Sequence, residues 1–113
     1  MSEKNYPPFR MSKEIDIRFA PQVGIMNCGY QHLVRTFGQP TFSTENNDTF
    51  EGTEQCAWHI QFQNGSTVVI SENRGFGATE SPFQHSTSWK VNTRDTSAYN
   101  WIKEAIRDAN PNG

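Results

Sequence analysis

The chain has 113 residues, a formal net charge of −2, 34% hydrophobic residues and 12% aromatic residues. A chain of this length forms one domain and buries roughly 60–70% of the surface that it exposes when unfolded. The slightly acidic balance argues against bulk nucleic-acid binding, because that activity neutralises many phosphates. No apolar run approaches the ~18 residues of a membrane span, and the N-terminus lacks the apolar region of a signal peptide. We therefore expect a cytoplasmic protein with no membrane contact.

The N-terminal region divides into a tail and a strand. Residues 1–10 are polar and include two prolines, which predicts a flexible tail or an arm, and residues 11–113 then form the single domain. From Glu14 to Phe19 charged and apolar residues alternate. This is the pattern of a half-buried strand whose apolar residues face inward.

A short helix is predicted next. The segment from Cys28 to Phe37 places apolar side chains at helical spacing, which is typical of an amphipathic helix. Gly38 supplies the stop, and Pro40 blocks any continuation. Residues 41–48 are then expected to form a short strand or a loop.

A β-hairpin around Asn64-Gly65 is the clearest local signal, because this dipeptide between two β-type runs favours a tight turn. A two-residue loop would pair Ile60 with Val69 and divide the apolar side chains between both faces of the sheet. A three-residue loop with Gly65 left-handed instead collects them on one face. Each aliphatic side chain left exposed forfeits ~1.5–3 kcal/mol. We therefore predict the three-residue loop, with the inward set Trp58, Ile60, Phe62, Val68 and Ile70.

The C-terminal part predicts a long loop, a strand and a helix. Residues 72–86 contain several glycine and proline breaks, and loops of this length are usually functional or disordered. Ser88 to Thr93 is predicted to be a strand. Asp95 or Thr96 then caps a helix that continues to about Asp108, because apolar residues recur there at i, i+3, i+4 and i+7.

These elements together predict an α+β fold. Its expected parts are a small antiparallel sheet of about three to five strands with a central hairpin, a short N-terminal helix, and a C-terminal amphipathic helix packed on the sheet. Large apolar side chains from the strands and the last helix should form the core, namely Trp58, Ile60, Phe62, Ile70, Trp89, Trp101 and Ile102.

The residue types that catalyse reactions or bind metals show no informative spacing. The three histidines (His32, His59 and His85) are not spaced like metal ligands. Cys28 and His32 lie four residues apart, but such a pair is common by chance, and a nucleophile needs its base within reach. Cys28 and Cys56 are expected to remain thiols, with no disulfide between them. We therefore predict a protein that is not an enzyme and that uses no cofactor and no metal.

The best candidate for a binding surface is the 72–86 loop. Arg74 and Phe76 place a guanidinium group and an aromatic ring on a glycine-rich backbone. This combination suits a phosphate with a base, and equally a protein hot spot. The alternative is a solvated loop in which Phe76 packs over the sheet edge. Further residues expected to extend this patch or to lie at an interface are Phe83, His85, Arg94 and His59.

Three short motifs follow one another along the chain, namely Phe37-Gly38-x-Pro40, Trp58-x-Ile60-x-Phe62-x-Asn64-Gly65 and Trp89-x-Val91. Over residues 30–106 this arrangement resembles a group of small, mostly uncharacterised bacteriophage accessory proteins. The resemblance implies a phage-encoded protein that acts in the host cytoplasm. It also implies a counter-defence role, because several such proteins are similar in size to anti-CRISPR inhibitors and to sponges for nucleotide immune signals.

Two classes of function are compatible with these features. The first is a stoichiometric inhibitor that neutralises a bacterial immune system by binding a host defence protein, and it predicts an exposed aromatic and acidic surface without a pocket. The second is a sponge for a cyclic nucleotide signal, with a concave site lined by Arg74, Phe76 and another arginine. A small enzyme is the remaining alternative. A small sheet also leaves an edge unpaired, so we expect a symmetric homodimer.

Overall fold

The computed structural model describes residues 6–15, 20–49, 55–73 and 82–111. Within them, the chain forms six β-strands and two α-helices, with one helix after β2 and the other after β6, which confirms the predicted α+β class. The strands are β1 (Phe9–Met11), β2 (Gln22–Asn27), β3 (Phe42–Ser43), β4 (Cys56–Phe62), β5 (Thr67–Glu72) and β6 (Ser88–Thr93). The helices are α1 (Tyr30–Phe37) and α2 (Thr96–Ala109).

The six strands form one antiparallel sheet in the order β1-β4-β5-β6-β2, and β3 pairs with β4 beside β1. The sheet therefore has more strands than the sequence predicts, and β2 was not predicted at all. Its pairing with β6 shifts register between Gln22 and Gly24. Such an irregularity breaks the alternation of inward and outward side chains by which a strand is recognised.

The β4–β5 hairpin pairs Trp58 with Ile70 and Ile60 with Val68, which is the register that the burial argument predicts. The N–H group of Phe62 donates to the carbonyl oxygen of Ser66 at 2.8 Å, and Gly65 has a φ of +96°. Packing of the apolar set therefore outweighs the preference of the Asn-Gly dipeptide for a two-residue loop.

Both helices pack on the same face of the sheet. Their buried side chains are Leu33 and Phe37 from α1 and Ala98, Ile102 and Ala105 from α2. Phe83 from a 3-10 turn belongs to the same cluster, and the strands contribute its other members, Met26, Cys56, Trp58, Ile60, Phe62, Val68, Ile70, Trp89 and Val91. Most of the predicted core residues are therefore buried.

Trp101 is the exception to the predicted core. Its side chain is half-buried, and its ring packs edge-on against Phe62 with the ring centroids 5.1 Å apart. The helix stripe places Trp101 at the border of the apolar face, because Ala98, Ile102 and Ala105 occupy the centre. Trp101 therefore covers the core but does not lie within it.

Residues 6–10 belong to the fold, which corrects the prediction of a flexible tail for that part of the segment. Phe9 lies opposite Phe62 in the sheet, and its ring packs 5.3 Å from the ring of Phe37. The hydroxyl group of Tyr6 donates to Asp108 Oδ2 at 3.0 Å. Burial and this acceptor raise the pKa of Tyr6 to about 12, so the bond is kept at physiological pH.

The predicted strand from Glu14 to Phe19 is wrong at its start. Glu14 lies in a turn, where its N–H group donates to Ser12 Oγ at 3.1 Å. Ile15 is buried as expected, but it is not part of a strand. Residues 16–19 lie outside the described residues.

Individual residues set the boundaries of the two helices. Helix α1 starts at Tyr30, two residues later than predicted, and it ends at Gly38, whose φ is +83°. Asp95 caps α2, because its Oδ1 accepts from the N–H group of Ser97 at 2.9 Å. Its other oxygen accepts from Ser66 Oγ at 2.6 Å, so the hairpin turn is tied to the start of α2.

The ring of Tyr99 on α2 lies against Gly24 of β2. A Cβ atom at Gly24 would be 2.6 Å from Tyr99 Cζ, so alanine there displaces the ring. Gly24→Ala should therefore destabilise the protein. In a Tyr99→Ala background it should instead stabilise by ~0.4–1 kcal/mol, because alanine restricts the unfolded chain. Urea unfolding of the four proteins tests this sign reversal, and destabilisation in both backgrounds would contradict the close contact.

Candidate binding surface

The structure separates the residues that the sequence predicts for a binding patch. Arg74 and Phe76 lie outside the described residues, so their contribution stays a prediction. His85 is exposed and lies in a 3-10 turn at the same end of the sheet as Asn73, the last described residue before them. The N–H group of Asn73 donates to the carbonyl oxygen of Ser88 at 3.0 Å, so the pairing of β5 with β6 extends to Asn73.

Two further predicted residues, Phe83 and Arg94, lie in different parts of the fold. Phe83 is only 3% exposed and packs against Tyr30 with the ring centroids 5.5 Å apart, so its ring belongs to the core. Arg94 is exposed and follows the last residue of β6, whereas His85 precedes the first. Because a six-residue strand spans about 17 Å, Arg94 and His85 lie at opposite ends of the sheet.

His59 lies on a different surface, the face of the sheet opposite to the two helices, which we call the open face. Successive strand residues point to opposite sides. The burial of Trp58 and Ile60 therefore directs His59 and Gln61 to this face. Every strand contributes at least one exposed or half-exposed side chain to it, and the main ones are Arg10, Ile25, Phe42, His59, Gln61, Val69, Lys90 and Asn92.

The imidazole ring of His59 is held against Phe42 of the neighbouring strand. The two ring centroids are 4.7 Å apart, and the backbone N–H group of His59 donates to Thr41 Oγ1 at 3.0 Å. Its Nδ1 atom is buried without a hydrogen-bond partner in the described part of the chain. Burial lowers the pKa of His59, so the ring is neutral at pH 7. This arrangement places an ordered pair of rings on the open face.

The charged side chains that the described strands place on the open face are cationic, and beside Phe42 the ammonium group of Lys13 is paired with Asp48. Arg10 donates to Gln61 Oε1 at 2.7 Å, and Lys90 lies opposite Ile25. No strand residue in the described ranges presents a carboxylate on this face, because the side chain of Glu72 is buried on the other side. The acidic surface expected for an inhibitor is therefore not found here, and the open face instead suits an acidic partner.

The cysteine and histidine side chains do not form a reactive pair. His32 Nδ1 accepts from the N–H group of Gly29 at 3.2 Å, so this ring nitrogen is occupied by a backbone donor. Burial raises the pKa of Cys28 to about 11, so the nucleophilic thiolate is scarce at neutral pH. Cys28 and Cys56 are not joined by a disulfide. Among the residues that the structure describes, no group of three or more His, Cys, Asp and Glu side chains is arranged to hold a metal ion.

One cleft, with a volume of about 460 Å³, lies between the N-terminal arm and the C-terminal ends of the two helices. It combines the rings of Tyr6 and Phe9 with Arg35 and Thr36, but Asp108 also lines it. An arginine beside aromatic rings suits a nucleotide. The carboxylate of Asp108 and the negative ends of both helix dipoles oppose a phosphate at this position.

No protein-family model matches the chain, and a search of curated proteins finds no significant match. Neither helix of the described part combines the length and the apolar character needed to cross a lipid bilayer.

Acid should destabilise the protein through His59. Because burial holds the pKa of His59 below its ordinary value of about 6.5, the unfolded chain takes up a proton at a higher pH than the folded chain. This contribution to stability is fully present above about pH 6.5 and is lost as the pH falls toward the folded-state pKa. In thermal unfolding between about pH 5 and pH 8, the melting temperature of His59→Gln should fall less toward acid pH than that of the wild type. The exposed His85→Gln is the control, and equal losses in wild type and His59→Gln would contradict the assignment.

Proposed function

We propose that the protein is a non-enzymatic binding protein that inhibits a protein partner stoichiometrically and contacts it with the open face. The observation that carries this proposal is the placement of both described helices on one side of a six-stranded sheet. The other side thereby offers a broad surface of aromatic, amide and cationic side chains. The phage-like motifs favour a bacterial defence protein as the partner.

The open face has the residue types that dominate binding energy at protein interfaces. Arginine and aromatic side chains are enriched among interface hot spots. Here the Phe42 and His59 rings are already packed together, and the guanidinium group of Arg10 is held by Gln61. Ordering before association reduces the entropy that binding must remove. Cationic groups on this face steer it toward an acidic surface.

The second candidate function is the binding of a cyclic nucleotide signal. The cleft lined by Arg35 and by the rings of Tyr6 and Phe9 supports it. The carboxylate of Asp108 in the same cleft weakens it, because it repels a phosphate. We therefore rank the protein partner first.

The open face is tested by capturing partners from a bacterial lysate with matched variants. Arg10→Glu with Val69→Glu places acidic groups on the open face and should abolish capture of a partner that the wild type binds. Lys103→Glu with Asn100→Glu makes the same change in net charge on exposed positions of α2, and it should leave capture intact. Both pairs should keep the wild-type melting temperature within a few degrees, since surface substitutions change stability little.

Two further experiments distinguish the open face from the predicted loop and a protein partner from a nucleotide. Arg74→Glu with Phe76→Ala tests the predicted loop, and loss of capture in this variant alone would move the contact from the open face to the loop. A thermal-shift screen with cyclic di- and oligonucleotides tests the sponge, because a ligand that binds the folded state raises the melting temperature. A rise that Arg35→Ala removes would overturn the protein-partner proposal.

A further inference from the structure

Strand β2 forms one edge of the sheet and pairs on one side only. The N–H group of Cys28 donates to the carbonyl oxygen of Thr87 at 3.0 Å, and Met26 lies opposite Trp89. Along an antiparallel strand, residues whose backbone groups bond to the neighbouring strand alternate with residues whose backbone groups point away from it. Because Met26 and Cys28 bond to β6, the N–H and C=O groups of Ile25 and Asn27 point away from β6. In the ranges that the structure describes, no strand pairs with that side.

In the part of the chain that the structure describes, this edge lacks the features by which proteins protect edge strands. The opposite edge is formed by two short strands, β1 with three residues, which follows two consecutive prolines, and β3 with two residues. By contrast, β2 has six residues, with no charge and no proline among them. Its irregularity between Gln22 and Gly24 affects only its start. The side chain of Ile25 is 44% exposed, so an apolar group accompanies the available backbone groups.

We propose that this edge binds the same edge of a second copy of the chain. The two β2 strands run antiparallel about a twofold axis at Met26, so that each Ile25 lies opposite Asn27 of the other copy. This register is the one that uses the outward groups of both residues in both chains, and it does not depend on the irregular start of the strand. A twofold axis makes the patch complementary to itself, and the sheet and its open face then continue across the dimer.

The charges next to the edge are compatible with this pairing. Lys90 lies opposite Ile25 on β6 and is the nearest charged residue of the open face. In the dimer the two Lys90 side chains are three strand spacings apart, at least about 14 Å. This separation exceeds the Debye length of about 8–10 Å, so salt largely screens their repulsion. Among the strand residues that the structure describes, pairing of this edge therefore brings no like charges of the open face together.

Light scattering at tens of micromolar tests the dimer. The wild type should give the mass of a dimer, and Ile25→Lys should raise the dissociation constant by roughly tenfold or more, because a lysine at the edge opposes strand pairing. Val69→Lys places the same charge in the middle of the open face and should leave the dimer intact. A monomer mass for the wild type, or an unchanged dimer for Ile25→Lys, would overturn the proposal.

Cysteine crosslinking tests the register. An equimolar mixture of Ile25→Cys and Asn27→Cys should form an interchain disulfide faster than either variant alone, because paired residues bring their Cα atoms to about 5.5 Å. Wild-type protein under the same oxidant serves as the control for Cys28 and Cys56. Faster crosslinking of Ile25→Cys alone would place the axis at Ile25 and overturn the register. These readouts need no captured partner, so they are independent of the proposed function.

Discussion

Replacing Trp58 by alanine should lower the free energy of unfolding by about 3–5 kcal/mol, which is a large share of the ~5–15 kcal/mol typical of a domain. Trp58 is 0% exposed. Its ring packs edge-on against Trp89 with the centroids 5.4 Å apart, and 5.8 Å from the ring of Tyr30. Its Nε1 donates to the carbonyl oxygen of Gly38 at 2.9 Å. Alanine removes the ring contacts and the hydrogen bond together.

Urea unfolding with two comparison variants checks this result. Trp58→Phe keeps an aromatic ring but loses the indole donor, so it should cost less than alanine does. Trp101→Ala removes the same side chain from a half-buried position and should also cost less than Trp58→Ala. Equal losses for Trp58→Ala and Trp101→Ala would contradict the assignment of Trp58 to the centre of the core and Trp101 to its border.

The elements that the sequence predicts are those whose information is local. The hairpin register follows from five apolar positions within thirteen residues, Trp58 to Ile70, and the cap of α2 follows from Asp95 beside its own helix. Strand β1 could not be predicted in this way. Its pairing joins Phe9 to Phe62, which is far away in the chain. A strand of three residues is also too short to show the alternation of apolar and polar residues by which strands are recognised.

The candidate site is predictable only in part. With the predicted hairpin register, the alternation of side chains places His59 on the face opposite to Trp58, and the structure shows it there. Its contact with Phe42 depends on the pairing of β3 with β4, which no pattern near Phe42 indicates. The same alternation carried past Val68 and Ile70 would have placed Glu72 on the inward face. The predicted loop began at that residue instead, so this signal was missed.

Glu72 is a buried carboxylate at the end of β5. It is 0% exposed, and its Oε1 accepts from the N–H group of Gln55 at 2.6 Å while its Oε2 accepts from Ser86 Oγ at 2.6 Å. It thereby joins the start of β4 to the segment that leads into β6. Hydrogen bonds to a charged acceptor contribute about 1.5–3 kcal/mol each, more than neutral ones.

Glu72→Leu should therefore lower the free energy of unfolding by about 3–5 kcal/mol, since it removes the acceptor for two donors and leaves them without it. Glu72→Gln has the same shape and should cost less, because its amide can accept from Gln55 and donate to Ser86. Ser86→Ala removes one of the two bonds and should fall between the wild type and Glu72→Leu. Urea unfolding of these variants, and of Glu72→Leu with Ser86→Ala, measures the coupling between the two residues. If Glu72→Leu is as stable as the wild type, or if the two substitutions are additive, Glu72 does not hold these segments together.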